Sequence, residues 1–197
     1  MHFSKLILAT NNEHKIREMS QLLEDLKIEV LSKRSFPDFP DVEETGTTLA
    51  ENALLKSRAI YAKYGIPAVA DDTGLEVEYL SGAPGVISAR YAGEGCSFAD
   101  NNRKLLAALA DVPSEQRSAR FVTVIAITHE GGDQVVEGVV EGQIAEANRG
   151  ENGFGYDPIF IYPPTGETFA EMAADKKNSV SHRGRALEKL REWLLAQ

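Results

Sequence analysis

The sequence predicts an α/β fold built on a mixed β-sheet, and three observations predict it. Short apolar runs alternate with stretches of helical periodicity from the start of the chain. Two strand-like runs, Arg120–Thr128 and Gln134–Val140, flank Glu130-Gly131-Gly132-Asp133, a hairpin signal. Interleaved strands and helices favour parallel pairing, so a sheet that also holds this hairpin is mixed and flanked by helices.

The elements follow in order. Lys5–Ala9 reads as the first strand, ending in Thr10-Asn11-Asn12. A helix runs from Lys15 to Leu26, with Ile16, Met19, Leu22, Leu23 and Leu26 on one face. Ile28–Leu31 is a second strand, and Ser32–Val42, with Pro37 and Pro40, is a loop. Thr48-x-x-Glu51 is a capping box opening a helix to Tyr64, whose buried face includes Leu54, Ile60 and Tyr61. Pro67–Ala70 and Leu75–Tyr79 read as short strands on either side of an Asp71-Asp72-Thr73-Gly74 turn. A glycine-rich loop covers Ser81–Gly95, and a helix runs from Phe98 to Ala110. Ile159–Tyr162 is a further strand, and the last helix runs from Ser181 to Leu195, burying Leu187, Leu190 and Leu194.

A chain of 197 residues buries about 70% of its unfolded surface, enough to need no disulfide staples. No repeat, low-complexity segment or linker divides it, so a single domain over residues 1–197 is expected. Its one cysteine, Cys96, has no intrachain partner, which fits a reducing compartment. No segment resembles an export signal or membrane span, so a soluble cytoplasmic protein is expected. A net charge of −9 argues against nonspecific nucleic-acid binding and requires local cations to meet any polyanionic substrate.

Asp71 and Asp72, directly after an apolar run, are the most informative residues. Adjacent carboxylates raise each other's pKa unless a cation or hydrogen bonds offset the repulsion. Mg²⁺ with phosphate oxygens is a natural offset, because that ion takes one or two carboxylates plus phosphate; an Asp-rich turn facing water is the competing reading. Four further clusters sit where elements meet loops. Thr10, Asn11, Asn12, Glu13, His14 and Lys15 join a strand to a helix, where backbone N–H groups and Lys15 suit phosphate, or where Thr and Asn simply cap. Glu43-Glu44 precedes the helix that carries Lys56. Phe154, Gly155, Tyr156 and Asp157 place an aromatic ring between glycines, suited to stacking on a base or to filling a core edge. Lys177, His182 and Arg183 gather donors near the start of the last helix. His2, His14 and His129 show no metal-ligand spacing and read as surface residues.

Taken in order, these segments resemble the non-standard purine nucleoside triphosphate pyrophosphatases, the inosine/xanthosine triphosphate pyrophosphatase family. The resemblance rests on Thr10-Asn11-Asn12-x-x-Lys15, Glu43-Glu44-Thr45-Gly46, Glu51-Asn52-Ala53-x-x-Lys56 and Ala70-Asp71-Asp72-Thr73-Gly74. It continues through Gly82-Ala83-Pro84-Gly85, Ser88-Ala89-Arg90-Tyr91, Gly153-Phe154-Gly155-Tyr156-Asp157-Pro158 and Ser181-His182-Arg183-Gly184, across essentially the whole chain. Asn11 stands where many members have Gly, and Thr73 where Ser is common.

The resemblance implies an elongated fold of two lobes around a central cleft and a homodimer. It implies Mg²⁺-dependent hydrolysis of a purine nucleoside triphosphate to monophosphate and pyrophosphate. By position, Asp72 is the implied general base, with Asp71, Asp72 and Glu44 at the metal. Thr10 to Lys15, Lys56 and Thr73 are implied to handle the triphosphate; Phe154 to Asp157, Lys177, His182 and Arg183 are implied to hold the base. Three rivals stand beside it: a pyrophosphatase for other modified nucleotides, a non-hydrolysing nucleotide sensor, and a phosphatase with an aspartate nucleophile. The last usually carries Asp-x-Asp after its first strand, which this chain lacks.

Overall fold

The computed structural model describes residues 3–197; His2 and the side chain of Leu22 lie outside the described part. The elements are β1 (Lys5–Leu8), α1 (Glu13–Leu23), β2 (Glu29–Leu31), α2 (Leu49–Tyr64), β3 (Ala68–Val77), β4 (Pro84–Gly85) and α3 (Phe98–Ala108). They continue with β5 (Ser118–His129), β6 (Gly132–Ile144), β7 (Phe160–Tyr162), β8 (Glu167–Thr168), α4 (Ala174–Val180) and α5 (His182–Leu195). The hydrogen-bonded strand order is β2-β1-β3-β5-β6-β7-β8, with β4 on β3. Parallel pairs (β1 with β2 and β3) and antiparallel pairs (β3 with β4, β6 with β7, β7 with β8) make the sheet mixed, as the sequence predicts.

The chain forms two compact units. The first holds the chain up to Asp72, Thr123–Gly138 and Arg183–Gln197; the second holds Thr73–Val122 and Val139–His182. In the first unit β1 is covered on both faces, which explains its unbroken apolar run. Leu6 and Leu8 pack with Met19, Leu23, Ile125, Leu187 and Leu190, while Ile7 and Ala9 pack with Ile60, Ala68 and Ala70. That split is the period-2 alternation of a strand. The second unit has its own core of Leu75, Val77, Leu105, Leu109, Phe121, Phe160 and Phe169. Beside it, buried Arg117 donates to the carbonyls of Leu109, Val112 and Ala145.

Several local expectations change. Ala68–Val77 is one continuous strand, so the acidic pair lies in mid-strand rather than in a turn. Pairing on both sides of this segment overrides the turn preference of Asp and Gly. The strand stops at Val77, and Tyr79, expected as its last residue, is exposed in the 3-10 turn that follows. Ahead of the last helix lies α4, whose seven residues carry no apolar period and no side-chain cap to announce them. On α2 the capping box of Thr48 and Glu51 forms, and its fully buried side includes Asn52, Ala53, Ser57 and Ile60. His129 is half-buried rather than fully on the surface, its ring packing on Phe3 and Trp193. Among the described residues, no helix is long and apolar enough to cross a membrane.

Candidate active site

In the first unit the site is built around β3. Successive strand side chains leave on opposite faces, so Asp71 and Asp72 meet different partners despite adjacency. The Asp71 carboxylate, fully buried, lies 3.0 Å from Lys15 Nζ and accepts from Arg183 Nε at 3.4 Å. Arg183 Nη1 in turn donates to Glu18 Oε2 at 2.5 Å. Asp72 accepts from Asn52 Nδ2 at 3.1 Å, and its Oδ1 lies 3.9 Å from Lys56 Nζ. The same ammonium donates to Glu44 Oε1 and to the Asp71 carbonyl, both at 2.7 Å.

This division sets the two acids apart. Burial raises both carboxyls. For Asp71 it is outweighed by the charges of Lys15, Arg183 and Lys56, which hold the group well below the usual carboxylate range. For Asp72 burial prevails, Glu44 adds to it, and Lys56 and Lys15 offset only part, so its pKa is raised. Lys56 has the opposite balance: burial works against its charge, and Asp72, Asp71 and Glu44 together raise it. A pair of acids pushed in opposite directions is the arrangement that separates a permanent counter-charge from a proton acceptor.

Lys56 also tests the site for a divalent cation. Oxygens of Glu44, Asp72 and the Asp71 carbonyl all converge on one cationic atom. This all-oxygen set suits Mg²⁺, which needs only one or two carboxylates from the protein. Asp71, expected at the metal, has its carboxylate against Lys15 and Arg183. Among the described residues no three His, Cys, Asp or Glu side chains stand together as a preformed metal site.

The turn between β1 and α1 supplies the N-terminus of a helix. Asn12 is the N-cap, accepting from the backbone N–H groups of His14 and Lys15, and Thr10 Oγ1 accepts from Asn12 N–H. Lys15 thus stands in the first turn of α1 with its ammonium on Asp71. Asn11 donates to Asp41, and the Glu13 side chain pairs with Arg34. His14 is exposed, and Thr73 is half-buried in β3, in the second unit.

The expected base-holding residues fall mostly in the second unit. Asp157 Oδ2 accepts from the Phe154 backbone N–H and from Lys177 Nζ, both at 2.7 Å. Lys177 Nζ also stands 5.0 Å from the centroid of the Phe154 ring. Gly153 has φ +75°, and a Cβ there would lie 2.1 Å from Asp157 Oδ2, so this turn admits only glycine. Tyr156 is buried and donates its hydroxyl to the Ser88 carbonyl at 2.8 Å. His182 stacks on Phe121, with centroids 4.4 Å apart. Arg183, expected beside His182 at the base, lies in the first unit on Asp71 and Glu18.

Two residues of the site carried no assigned role in the sequence. Asn52 bridges Asp72 and the Gly46 N–H, which donates to Asn52 Oδ1 at 2.8 Å. Glu18 is the second partner of Arg183. Helical spacing was the available signal, since Asn52 lies four residues before Lys56 and Glu18 three after Lys15.

Comparison with known proteins gives a consistent result. The model of the Ham1 family matches residues 6–193. A dITP/XTP pyrophosphatase of Caldanaerobacter subterraneus is 47% identical over 97% of this chain and 96% of its own. One from Geobacillus kaustophilus is 51% identical over 95% of this chain and 93% of its own. Among solved structures, a HAM1 protein from Coxiella burnetii superposes with a TM-score of 0.91 at 44% identity, covering 100% of both chains. The Staphylococcus aureus Ham1 protein gives 0.88 at 40% identity, over 98% of both.

Proposed function

The chain belongs to the Ham1 family, and from that premise we propose that it hydrolyses non-standard purine nucleoside triphosphates such as ITP, dITP and XTP to the monophosphate and pyrophosphate. The observation that carries the mechanism is the opposed pair on β3: Asp71 kept charged by buried cations, and Asp72 with a raised pKa. A base poised above its ordinary value transfers protons more effectively near neutral pH. Asp72 accepts the proton of a water whose oxygen bonds to the α-phosphorus, while the bond from that phosphorus to the α–β bridging oxygen breaks. The bridging oxygen leaves with pyrophosphate. Lys15 and Lys56 place positive charge where negative charge develops. Glu44 and Asp72 are the residues that would hold Mg²⁺, which when bound supplies further charge neutralisation and phosphate orientation.

Discrimination among bases follows from donor and acceptor order. A 6-oxopurine presents a carbonyl acceptor beside an N1–H donor; adenine presents the reverse. Lys177 and Asp157 are a buried donor and acceptor side by side, which matches the first order and leaves charges unmatched against the second. Sites built around such bonds discriminate by ~10⁴ or more. The Phe154 ring is the stacking surface of this reading.

Pyrophosphate release with Mg²⁺ tests it, comparing ITP, dITP and XTP with GTP and ATP and resolving the nucleotide products. Strong turnover of ITP, dITP and XTP to monophosphates is expected, with little from ATP, which lacks the 6-oxo group, or from GTP, which shares that group and differs by its 2-amino substituent. Tight nucleotide binding without pyrophosphate would favour a sensor and refute the enzyme. The homodimer belongs to the same reading and is checked by sedimentation equilibrium.

A further inference from the structure

The loop that carries Phe154 is short of intrinsic stiffness, since Gly153 and Gly155 on either side of it have φ of +75° and +65°. Inside the loop Asp157 Oδ2 accepts from the Phe154 N–H; the rest of its hold comes from outside. One grip comes from α3. Phe98 and Asn102 lie four residues apart and share a helical face. The Phe98 ring meets the Phe154 ring at a centroid distance of 6.1 Å. Asn102 Nδ2 donates to the Gly155 carbonyl at 3.1 Å. The helix itself is anchored by a capping box between Ser97 and Asp100. Next door, Asn101 serves a different loop, donating to Ala89 O and accepting from Ala92 N–H.

Asn102 is unusual for a residue only 4% exposed. Its Oδ1 is buried and has no hydrogen-bond partner among the described residues. A leucine of similar size would avoid desolvating that oxygen. What asparagine contributes here is the single donor to Gly155, the residue directly after Phe154.

We infer that Asn102 is a positioning residue for base recognition, holding the Phe154 loop through the Gly155 carbonyl, with Phe98 bracing the same loop from the same helix face. The inference rests on the reading of this loop as the base-holding element of a purine nucleotide hydrolase. Asn102 itself need not touch the substrate. Its effect falls on affinity rather than chemistry, because the reacting carboxylates belong to the other unit.

The test uses the full-length protein and the variants Asn102→Leu, Asn102→Asp and Phe98→Ala. Phe98 is 45% exposed, so its variant keeps the question open should an Asn102 variant fold poorly. Each is measured by steady-state kinetics on ITP with Mg²⁺, by thermal melting, and by hydrogen–deuterium exchange of the segment 151–158. Expected for Asn102→Leu is a KM raised about tenfold with kcat within about twofold, the signature of lost binding that ground and transition states share. Exchange at 153–157 should rise in all three variants, without a fall in Tm for Asn102→Leu. Unchanged KM, or a kcat loss that follows Tm, would overturn the inference. Should the wild type release no pyrophosphate from ITP, the functional reading fails; the exchange data still decide whether Asn102 holds the loop.

Discussion

Asp71→Asn should destabilise the protein while Asp72→Asn should not, although the two residues are neighbours in one strand. The Asp71 side chain is fully buried against Lys15 and Arg183, whose own side chains are 15% and 3% exposed. Neutralising it leaves two largely buried cations short of a partner. Removing one member of a buried pair costs about 3–5 kcal/mol, and Arg183 keeps Glu18, so the lower end applies. About 3 kcal/mol lowers Tm by roughly 6–12 °C in a chain of this length. Asp72 is the reverse case. Its raised pKa means that ionisation is less favourable in the folded chain than in the unfolded one. Asn keeps its shape and its bond with Asn52, so Tm at pH 7 should hold or rise, while kcat falls by about 10²–10⁴ with the loss of the base. Differential scanning fluorimetry and pyrophosphate release on the same preparations make the comparison. The depressed pKa of Asp71 contributes stability that is complete above about pH 4 and declines as pH falls through and below it. The Tm gap between wild type and Asp71→Asn should therefore narrow on acidification below that point. Near-normal kcat in Asp72→Asn would remove Asp72 from the base role, and a Tm loss there equal to that of Asp71→Asn would refute the account of two opposed environments.

Three other outcomes follow from the same geometry. Titrated without Mg²⁺ and followed by carboxyl ¹³C NMR, Asp72 should have its midpoint above about 4, the ordinary aspartate value, because it is raised by burial and by Glu44; a midpoint at or below that value would refute this account of its environment. Gly153→Ala would set a Cβ 2.1 Å from Asp157 Oδ2, so binding of a nonhydrolysable ITP analogue, measured calorimetrically, should weaken by about tenfold or more, with pyrophosphate chemistry on bound ITP largely retained. Arg117→Met strands three carbonyls that the guanidinium now serves, at about 1–3 kcal/mol for each buried acceptor left unpaired; melting should reveal a large loss, and kinetic constants per folded molecule should stay close to wild type.

Much of the framework was legible because its signals are local. The Thr48–Glu51 box, the apolar run of β1 and the hairpin each depend on residues a few positions apart, and all three form. The Asp71–Gly74 segment misled because its turn chemistry is also local, while the strand pairings on either side of it are not. The α4 helix left no trace because seven residues cannot show a helical period, and their buried member, Lys177, is held by Asp157 from twenty positions away. Asn52 and Glu18 were within reach of helical spacing from the two lysines. Nothing in the sequence said which carboxylate either would serve.

By itself, then, the sequence determined the order of elements, the mixed sheet and the set of polar clusters that mark the family. Tertiary structure alone decided how charge is distributed among them. The strand pleat sends Asp71 towards Lys15 and Arg183, and Asp72 towards Asn52 and Lys56. Arg183 meets Asp71 across 112 positions and Glu18 across 165. Electrostatic energy depends on distance in space and on burial, and strengthens as water is excluded. Spacing along the chain carries neither quantity, so two adjacent aspartates that read alike in sequence acquire opposite environments, one held charged by buried cations and one raised by burial, only once the chain has folded.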